Sequence, residues 1–245
     1  MIYPYSSSVP YSPRWSCGML RSDNEGLSWY EAGRVPSLLQ SVTDVDEPVV
    51  VQLSNGSLYC LMRTCIVDEP RHAYSMSNDL GLSWSEVRLV PQLFSIDTTP
   101  ALIKYDSNIL IAWINRSSLQ EPRSPLALAV SYDDCASWQN GLVLQNPDGL
   151  NMNDLCLSLI DSKIVLSYRR YGSDNNGDAI IRVLEFDSSG LYEVNLIPDF
   201  NHDGNIDIFD AILLSNNFNT SNTLTDLNYD GLTNLDDALL FIQAF

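Results

Sequence analysis

Two acidic segments near the C-terminal end of the sequence carry oxygen side chains at regular intervals. The first covers residues 199–210 and the second covers residues 226–237, a repeat with an offset of 27 positions. In both segments Asp or Asn stands at loop positions 1, 3, 5, 9 and 12, and Gly stands at position 6. Ca²⁺ takes about six to eight oxygen ligands, and a glycine permits the sharp turn that such a loop needs. The sequence therefore predicts two calcium ions, one in each loop.

The predicted ligands are side-chain oxygens, except at position 7, where the backbone carbonyl binds and the residue type is free. They are, in the first loop, Asp199, Asn201, Asp203, Asn205, Asp207 and Asp210, and in the second, Asp226, Asn228, Asp230, Leu232, Asn234 and Asp237. One segment alone would fit an ordinary Asp/Asn-rich surface turn equally well. Two segments in register, each followed by apolar residues at helical spacing, favour paired calcium loops.

A second repeat lies in the first two thirds of the chain. Residues Ser77–Trp84 fit the pattern S-x-D-x-G-x-[ST]-W at every position, while Ser22–Trp29 has Asn in place of Asp and Ser131–Trp138 has Cys in place of Gly. The copies begin 55 and 54 residues apart. In a hairpin turn the Asp carboxylate can accept backbone N–H bonds, Gly adopts a positive φ, and Trp packs between neighbouring sheets. A fixed period in this range indicates a repeat architecture.

The elements around these turns are predicted to be short strands. The sequence has 12 Gly, 12 Pro, 12 Tyr and 5 Trp, which favours turns and strands over helices. Asn55-Gly56 between two apolar runs predicts a two-residue hairpin. No helix of ten or more residues is predicted before residue 197. The predicted strands are Val49–Leu53, Leu58–Arg63, Ile109–Ile114, Leu126–Ser131, Lys163–Tyr168 and Ala179–Phe186.

The charge distribution excludes one class of protein and divides the chain. Lys and Arg total 13 against 31 Asp and Glu, for a net charge of −18, which argues against a nucleic-acid-binding protein. No apolar run is long enough to span a membrane. Residues 197–245 contain 8 Asp and no Lys or Arg. We therefore predict a β domain over residues 1–196 and a separate calcium module over residues 197–245.

Residues 198–245, with duplicated loop-plus-helix units that lack a leading helix, resemble a dockerin, the small α-helical, EF-hand-like module of secreted glycan-processing proteins. The resemblance implies docking onto a cohesin-type protein partner. A folded calcium cap without a partner is the alternative.

Residues 15–190, through the three turn motifs, resemble the Asp-box or BNR repeats of sialidase-type β-propellers. At 54–55 residues a blade, residues 1–196 amount to about 3.5 blades. The fold class expected is therefore mainly β: a partial sialidase-type β-propeller, incomplete at its N-terminal side, plus the dockerin-like module. The resemblance also implies an extracellular or cell-surface location, with a signal peptide upstream of residue 1.

The sialidase resemblance implies a site in which arginines bind a substrate carboxylate and a Tyr–Glu pair supplies the nucleophile. Glu47, before a strand, matches the family's Glu; Arg63, 16 residues later, and Arg123, before a strand leading to a turn motif, match two of its arginines. The implied ligand is a glycan with a terminal anionic sugar. The nucleophilic Tyr is expected just before Leu155, and the sequence has none between Leu150 and Cys156.

Two functions remain open from the sequence. The first is the C-terminal part of a secreted sialidase-like glycoside hydrolase, anchored by the calcium-dependent tail, with residues 1–245 alone expected to be inactive. The second is a non-catalytic propeller that binds glycans or acts as a scaffold. The missing Tyr favours the second, whereas the spacing of Glu47, Arg63 and Arg123 favours the first.

Overall fold

Short strands make up most of the regular structure, so the prediction of a mainly β chain is confirmed. The computed structural model describes residues 1–8, 15–36, 45–66, 68–144, 150–160, 163–172, 177–187, 190–194, 200–201, 206–222, 224–227 and 231–243. Two compact units divide the chain: Met1–Ile181 with Phe186–Tyr192, and Arg182–Glu185 with Glu193–Phe245. The boundary predicted at residues 196 and 197 falls outside the described residues and stays a prediction.

Within the described residues the strands form four sheets, and each sheet follows chain order. The first sheet contains β1 (Ile2–Ser8), β2 (Trp15–Arg21) and β3 (Tyr30–Arg34). The second contains β4 (Val45–Gln52), β5 (Leu58–Thr64), β6 (Arg71–Ser77) and β7 (Arg88–Phe94). The third contains β8 (Ala101–Tyr105), β9 (Asn108–Ile114), β10 (Leu126–Ser131) and β11 (Gln139–Leu144). The fourth contains β12 (Asn151–Ile160), β13 (Lys163–Tyr171), β14 (Gly177–Asp187) and β15 (Gly190–Val194).

Such sequential four-stranded sheets are the units from which β-propellers are built. All six predicted strands are present, and so is the hairpin between β4 and β5, where Gly56 has a φ of +88°. The number of blades in the complete propeller stays a prediction.

Strand β5 is buried on both faces, because successive side chains of a strand point to opposite sides of the sheet. Tyr59 and Leu61 belong to a hydrophobic core shared with the third sheet. Cys60 and Met62 belong to a second core, shared with the first sheet. The second sheet is thus held between two layers of apolar side chains, and this fixes the positions of its strand ends.

The turn from Ser77 to Trp84 is closed by the hydrogen bonds that the motif predicts. The carboxylate of Asp79 accepts bonds from the backbone N–H (2.8 Å) and the hydroxyl (2.5 Å) of Ser83. The Ser77 hydroxyl donates to the same carboxylate at 2.8 Å, and the Trp84 indole N–H donates to the Gly81 carbonyl at 3.2 Å. Gly81 has a φ of +89°.

The two variant copies of the motif close in the same way. Asn24 accepts the Ser28 N–H at 2.9 Å, and Asp133 accepts the Ser137 N–H at 2.8 Å. Cys135, at the glycine position of the third copy, adopts a φ of +67°. The turn geometry therefore persists without the consensus residue at either position.

The motif tryptophans differ in burial. Trp84 lies in the core between the first and second sheets, and Trp138 lies in the core between the second and third sheets, as predicted. Trp29, in the turn between β2 and β3, is 41% exposed, so the predicted packing between sheets is not found for this copy.

The second unit contains two nine-residue helices, α1 (Ile208–Asn216) and α2 (Leu235–Gln243), whose first residues are 27 positions apart. Both begin directly after a side chain that accepts a backbone N–H, which caps the helix. Asp207 accepts from Phe209 at 2.8 Å, and Asn234 accepts from Asp236 at 2.7 Å. The predicted helix after each acidic loop is therefore confirmed.

Candidate functional site

The three residues predicted for the glycan site lie where strands of the second and third sheets begin or end. Glu47 is near the start of β4, Arg63 is near the end of β5, and Arg123 shortly precedes β10. Because β4 and β5 are antiparallel, Glu47 and Arg63 share one end of the sheet. The turn that begins at Ser77, the last residue of β6, leaves from the opposite end.

The backbone at Glu47 is irregular. The pairing of β4 with β5 shifts register between Asp46 and Val49, and Glu47 has a φ of +46°. Its N–H donates to the Ser6 hydroxyl and to the Asp46 carboxylate, both at 2.8 Å. A bulge re-aims the side chain that it carries, and bulges are frequent next to functional sites.

The side chain of Glu47 is held by two donors. The Arg63 guanidinium donates to one carboxylate oxygen at 2.8 Å, and the Thr99 hydroxyl donates to the other. Burial alone would lower the pKa of Arg63. The neighbouring carboxylates of Glu47 and Asp97 raise it by more, so the pKa of Arg63 lies above its ordinary value. The structure thus brings Glu47 and Arg63 into direct contact, where Glu47 orients the guanidinium.

A fourth charged residue, Asp97, joins the predicted ones. It lies between β7 and β8, has a φ of +58°, and its carboxylate contacts both arginines. Arg63 donates to one oxygen, and Arg123 donates to the other at 2.9 Å. Burial tends to raise the pKa of Asp97, but the two arginines lower it below its ordinary value. Arg123 therefore reaches the site through Asp97.

The backbone of Arg123 is fixed against the fourth sheet. Its N–H donates to the Asn151 side chain at 2.8 Å, and its carbonyl accepts the Met152 N–H at 2.9 Å. A third arginine, Arg116, is buried nearby and donates to the Ser118 carbonyl at 2.7 Å. Burial and the charge of Arg123 lower the pKa of Arg116. Arg116 thus stabilises the loop between β9 and β10, in which it lies.

A tyrosine does not occupy the position where the resemblance to sialidases placed the nucleophile. Residues Asn151 and Asp154 are found there instead, at the start of β12. Asp154 is exposed, has a φ of +56°, and sits where the pairing of β12 with β13 shifts register. Glu47, Asp97 and Asp154 thus place a carboxylate at positive φ near the start of the first strand in three successive sheets.

Sequence reasoning missed Asp97 and Thr99, although a signal was present. A proline follows Glu47 directly before the body of β4, and another proline follows Asp97 and Thr99 just before β8. An acid closely followed by proline at the start of a blade is a pattern that could have indicated Asp97.

A pocket of about 410 Å³ is lined in part by Pro122 and Ser124, the chain neighbours of Arg123. Its lining includes the half-exposed ring of Phe94, two prolines and the polar side chains of Asn115 and Glu121. The pocket therefore offers both apolar and hydrogen-bonding surface next to the segment that carries Arg123. A second pocket of about 400 Å³ lies elsewhere, around Ile2, Arg21 and Leu80.

The two loops predicted to bind calcium are described in part. The carboxylates at position 12, Asp210 and Asp237, are fully buried and accept the N–H groups of Asp207 (2.9 Å) and Asn234 (2.7 Å) at position 9. Equivalent contacts thus close both loops. Within the described part of the chain, no group of three or more His, Cys, Asp or Glu is arranged to hold a metal ion. The predicted ligands outside the described residues are Asp199, Asp203, Asn205, Asn228 and Asp230.

Neither helix is long and apolar enough to cross a membrane, nor is any other helical stretch of the described residues.

Comparison with known proteins gives a family match over most of the chain. The family model described as a BNR repeat-like domain matches residues 1–181. Comparison with curated protein sequences gave no significant match.

Solved structures share the fold at low sequence identity. A protein of unknown function from Dyadobacter fermentans is 14% identical with a TM-score of 0.59; the match covers 75% of this chain and 50% of that one. The intramolecular trans-sialidase from Ruminococcus gnavus is 22% identical with a TM-score of 0.55, over 74% of this chain and 40% of that one. An exo-1,5-α-L-arabinanase from a bovine ruminal metagenomic library is 15% identical with a TM-score of 0.55, over 79% and 73%. The chain thus spans half or less of the first two proteins and has a sialidase-like BNR fold.

Proposed function

The chain belongs to the family of BNR repeat-like domains through residues 1–181, and from this premise we propose that Arg63 and Arg123 bind the carboxylate of a terminal anionic sugar on a glycan. The observation that carries the proposal is that both guanidinium groups donate to a single carboxylate, that of Asp97. Arginine suits this task because its planar group remains charged and matches carboxylate geometry. We place the chain in a secreted, sialidase-like protein.

The surroundings of the two arginines support a sugar ligand. Glu47 fixes the direction of Arg63, and the contacts to Asn151 and Met152 fix the backbone of Arg123. The pocket of about 410 Å³ that Pro122 and Ser124 help to line provides room for further sugar units. One of the solved structures with this fold is a trans-sialidase.

A binding measurement tests the proposal. The wild-type protein should bind a glycan that ends in sialic acid more tightly than the same glycan after removal of that sugar. Arg123→Ala should abolish the difference. Arg88→Ala, which removes an exposed arginine at the start of β7, is the control and should retain it. Equal binding of the two glycans by the wild type would refute an anionic-sugar site.

Whether the site also hydrolyses its ligand is a separate question. Covalent hydrolysis of sialosides needs a nucleophile, and Asn151 and Asp154 stand where a Tyr was expected. This observation favours the second candidate function, a non-catalytic glycan-binding propeller, for residues 1–245. We expect no release of a fluorogenic leaving group from a sialoside. Turnover that is lost on Arg63→Ala would instead establish a hydrolase.

For the C-terminal unit we propose two bound calcium ions, which stabilise a dockerin-like module. The predicted donors are carboxylate, amide and carbonyl oxygens, the set that Ca²⁺ prefers. Residues 197–245 contain 8 Asp and no Lys or Arg, and two of these carboxylates, Asp210 and Asp237, are buried. Bound cations would offset part of this concentrated negative charge.

Calorimetric titration of the full chain with Ca²⁺ after chelation tests this proposal. We expect two ions per chain for the wild type and one for Asp237→Asn, which alters position 12 of the second loop. The neighbouring Asp236→Asn changes an exposed carboxylate outside the predicted ligand set and should still bind two ions. A stoichiometry of zero for the wild type would refute the calcium sites.

The same unit has an apolar surface suited to a protein partner of the cohesin type. The first residues of both helices are exposed, including Ile208 (62%), Phe209 (59%) and Leu235 (64%). Capture of a purified cohesin-type domain that is lost on Phe209→Asp would support docking. Unchanged calcium binding without capture would support the simpler calcium cap.

A further inference from the structure

The carboxylate of Asp97 occupies the place between the two arginines that a ligand carboxylate would take. One oxygen accepts from Arg63, and the other accepts from Arg123 at 2.9 Å. Charge-assisted bonds from guanidinium groups are the strongest hydrogen bonds that this site can donate, and each oxygen of the Asp97 carboxylate already accepts one. A second carboxylate would therefore compete with Asp97 for the same donors.

The charges of the cluster lead to the same conclusion. Glu47 and Asp97 carry two negative charges, and Arg63 and Arg123 carry two positive charges, so the four side chains are balanced. Their exposed fractions are only 20–35%, so these charges are screened less than on an open surface. An added anionic ligand would have to share the two guanidinium groups with Glu47 and Asp97 unless Asp97 moved away.

The structure gives Asp97 a fixed backbone and a side chain at the surface. Its N–H donates to the Thr64 carbonyl at 2.9 Å, and the adjacent Ser95 and Thr98 are buried and bonded to each other at 2.5 Å. The Asp97 side chain is 23% exposed. Rotation of the side chain could release both arginines while the backbone stays in place.

We infer that Asp97 is an internal competitor that occupies Arg63 and Arg123 and lowers the affinity of the site for anionic sugars. This inference rests on the proposed function, since it concerns the same arginines. It makes Asp97 a specificity-determining residue: a ligand carboxylate gains only the difference between its own contacts and those of Asp97. Ligands that add contacts outside the arginines are therefore favoured over a small free anion.

Two variants of the full chain test the inference. Asp97→Asn keeps the shape of the side chain and tolerates the positive φ, and Asp97→Gly removes the side chain at a φ that glycine adopts freely. Asp106→Asn is the matched control, because Asp106 is exposed with a φ of +53° in the turn between β8 and β9. The probes are N-acetylneuraminic acid and its uncharged methyl ester, measured by calorimetry.

We expect both Asp97 variants to bind the free acid about tenfold more tightly than the wild type. The affinity of both Asp97 variants for the methyl ester should equal that of the wild type. Asp106→Asn should bind both probes with wild-type affinity. A second readout uses no sugar: the rate at which phenylglyoxal modifies Arg63 and Arg123, followed by mass spectrometry. This rate should rise in Asp97→Asn, while the rate at the exposed Arg34 stays the same.

The two readouts separate the inference from the proposed function. Tight binding of the acid by the wild type without any gain in the variants would overturn the inference and leave the proposed function standing. Faster modification of both arginines without binding of either sugar would show that Asp97 occupies the arginines, but it would refute the proposed function and with it the effect on sugar affinity. Unchanged modification rates, or weaker binding of the acid by both variants, would show that Asp97 is no competitor.

Discussion

Carboxylate side chains have different roles at the two ends of the sheets in the β unit. At one end, Asp79 and Asp133 each close a turn with hydrogen bonds to residues within four positions. At the other end, Asp97 and Glu47 bond to side chains up to 52 positions away. The turn carboxylates hold the turns closed, whereas Glu47 and Asp97 hold the side chains of Arg63 and Arg123 in place. Changes at the two ends should therefore have separable effects.

The largest expected effect is on ligand binding at the site end. Arg63→Met should weaken binding of a sialic-acid-terminated glycan by about 100-fold, because it removes one guanidinium and leaves Glu47 and Asp97 with fewer donors. Arg34→Met, at a 50% exposed side chain paired with Glu31, is the control and should leave binding unchanged. Equal losses in the two variants would contradict a specific role of Arg63 in binding.

The next effect is on stability at the turn end. Asp79→Ala should lower the Tm by about 4 °C, because N–H and hydroxyl groups of the turn lose their acceptor. Glycan affinity at a temperature where both proteins are folded should not change. Thermal unfolding and calorimetry measure the two quantities. A weakened affinity with an unchanged Tm would contradict the assignment of Asp79 to the turn.

The loss of stability in Asp79→Ala should depend on pH, whereas a change in the uncharged first copy of the turn should not. Hydrogen bonds from Ser83 and Ser77 lower the pKa of Asp79 to about 2. Its stabilising effect should therefore be complete above the ordinary Asp pKa of about 3.9 and be lost as the pH falls towards about 2. The difference in Tm between wild type and Asp79→Ala should shrink over that interval. Asn24→Ala, in the uncharged copy, should give a difference that does not depend on pH.

The smallest effect concerns the turn backbone. Gly81 has a φ of +89°, and an added Cβ would meet only ordinary contacts at 3.8 Å. Gly81→Ala should therefore cost only the conformational penalty of about 1–2 kcal/mol, measured by urea unfolding. Gly26→Ala, with the same φ, should cost a similar amount. A much larger loss at Gly81 alone would point to a packing role.

Sequence reasoning worked where structure is local. The hairpin at Asn55-Gly56, the three turns and the starts of both helices each depend on residues within one short segment. Glu47 and Arg63 were paired by resemblance, and the structure places them in contact; their role in binding stays a prediction. Asp97 was missed because its partners, Arg63 and Arg123, are 34 and 26 positions away. The nearby proline is a local signal for the residue, but it does not indicate these two contacts.

The side-chain contacts that join neighbouring sheets have a consequence for how a chain of this kind changes in evolution. The hydrogen bonds to the Asp or Asn side chain that close each turn stay within that turn, so duplication of a blade copies the turn together with these bonds. The site contacts instead join different sheets: Ser6 to Glu47, Glu47 to Thr99, and Arg123 to Asn151. A duplicated blade can thus keep its fold while mutations in the contacts between sheets change the ligand that the protein binds. A lineage built in this way would keep its turns recognisable long after its ligands had diverged.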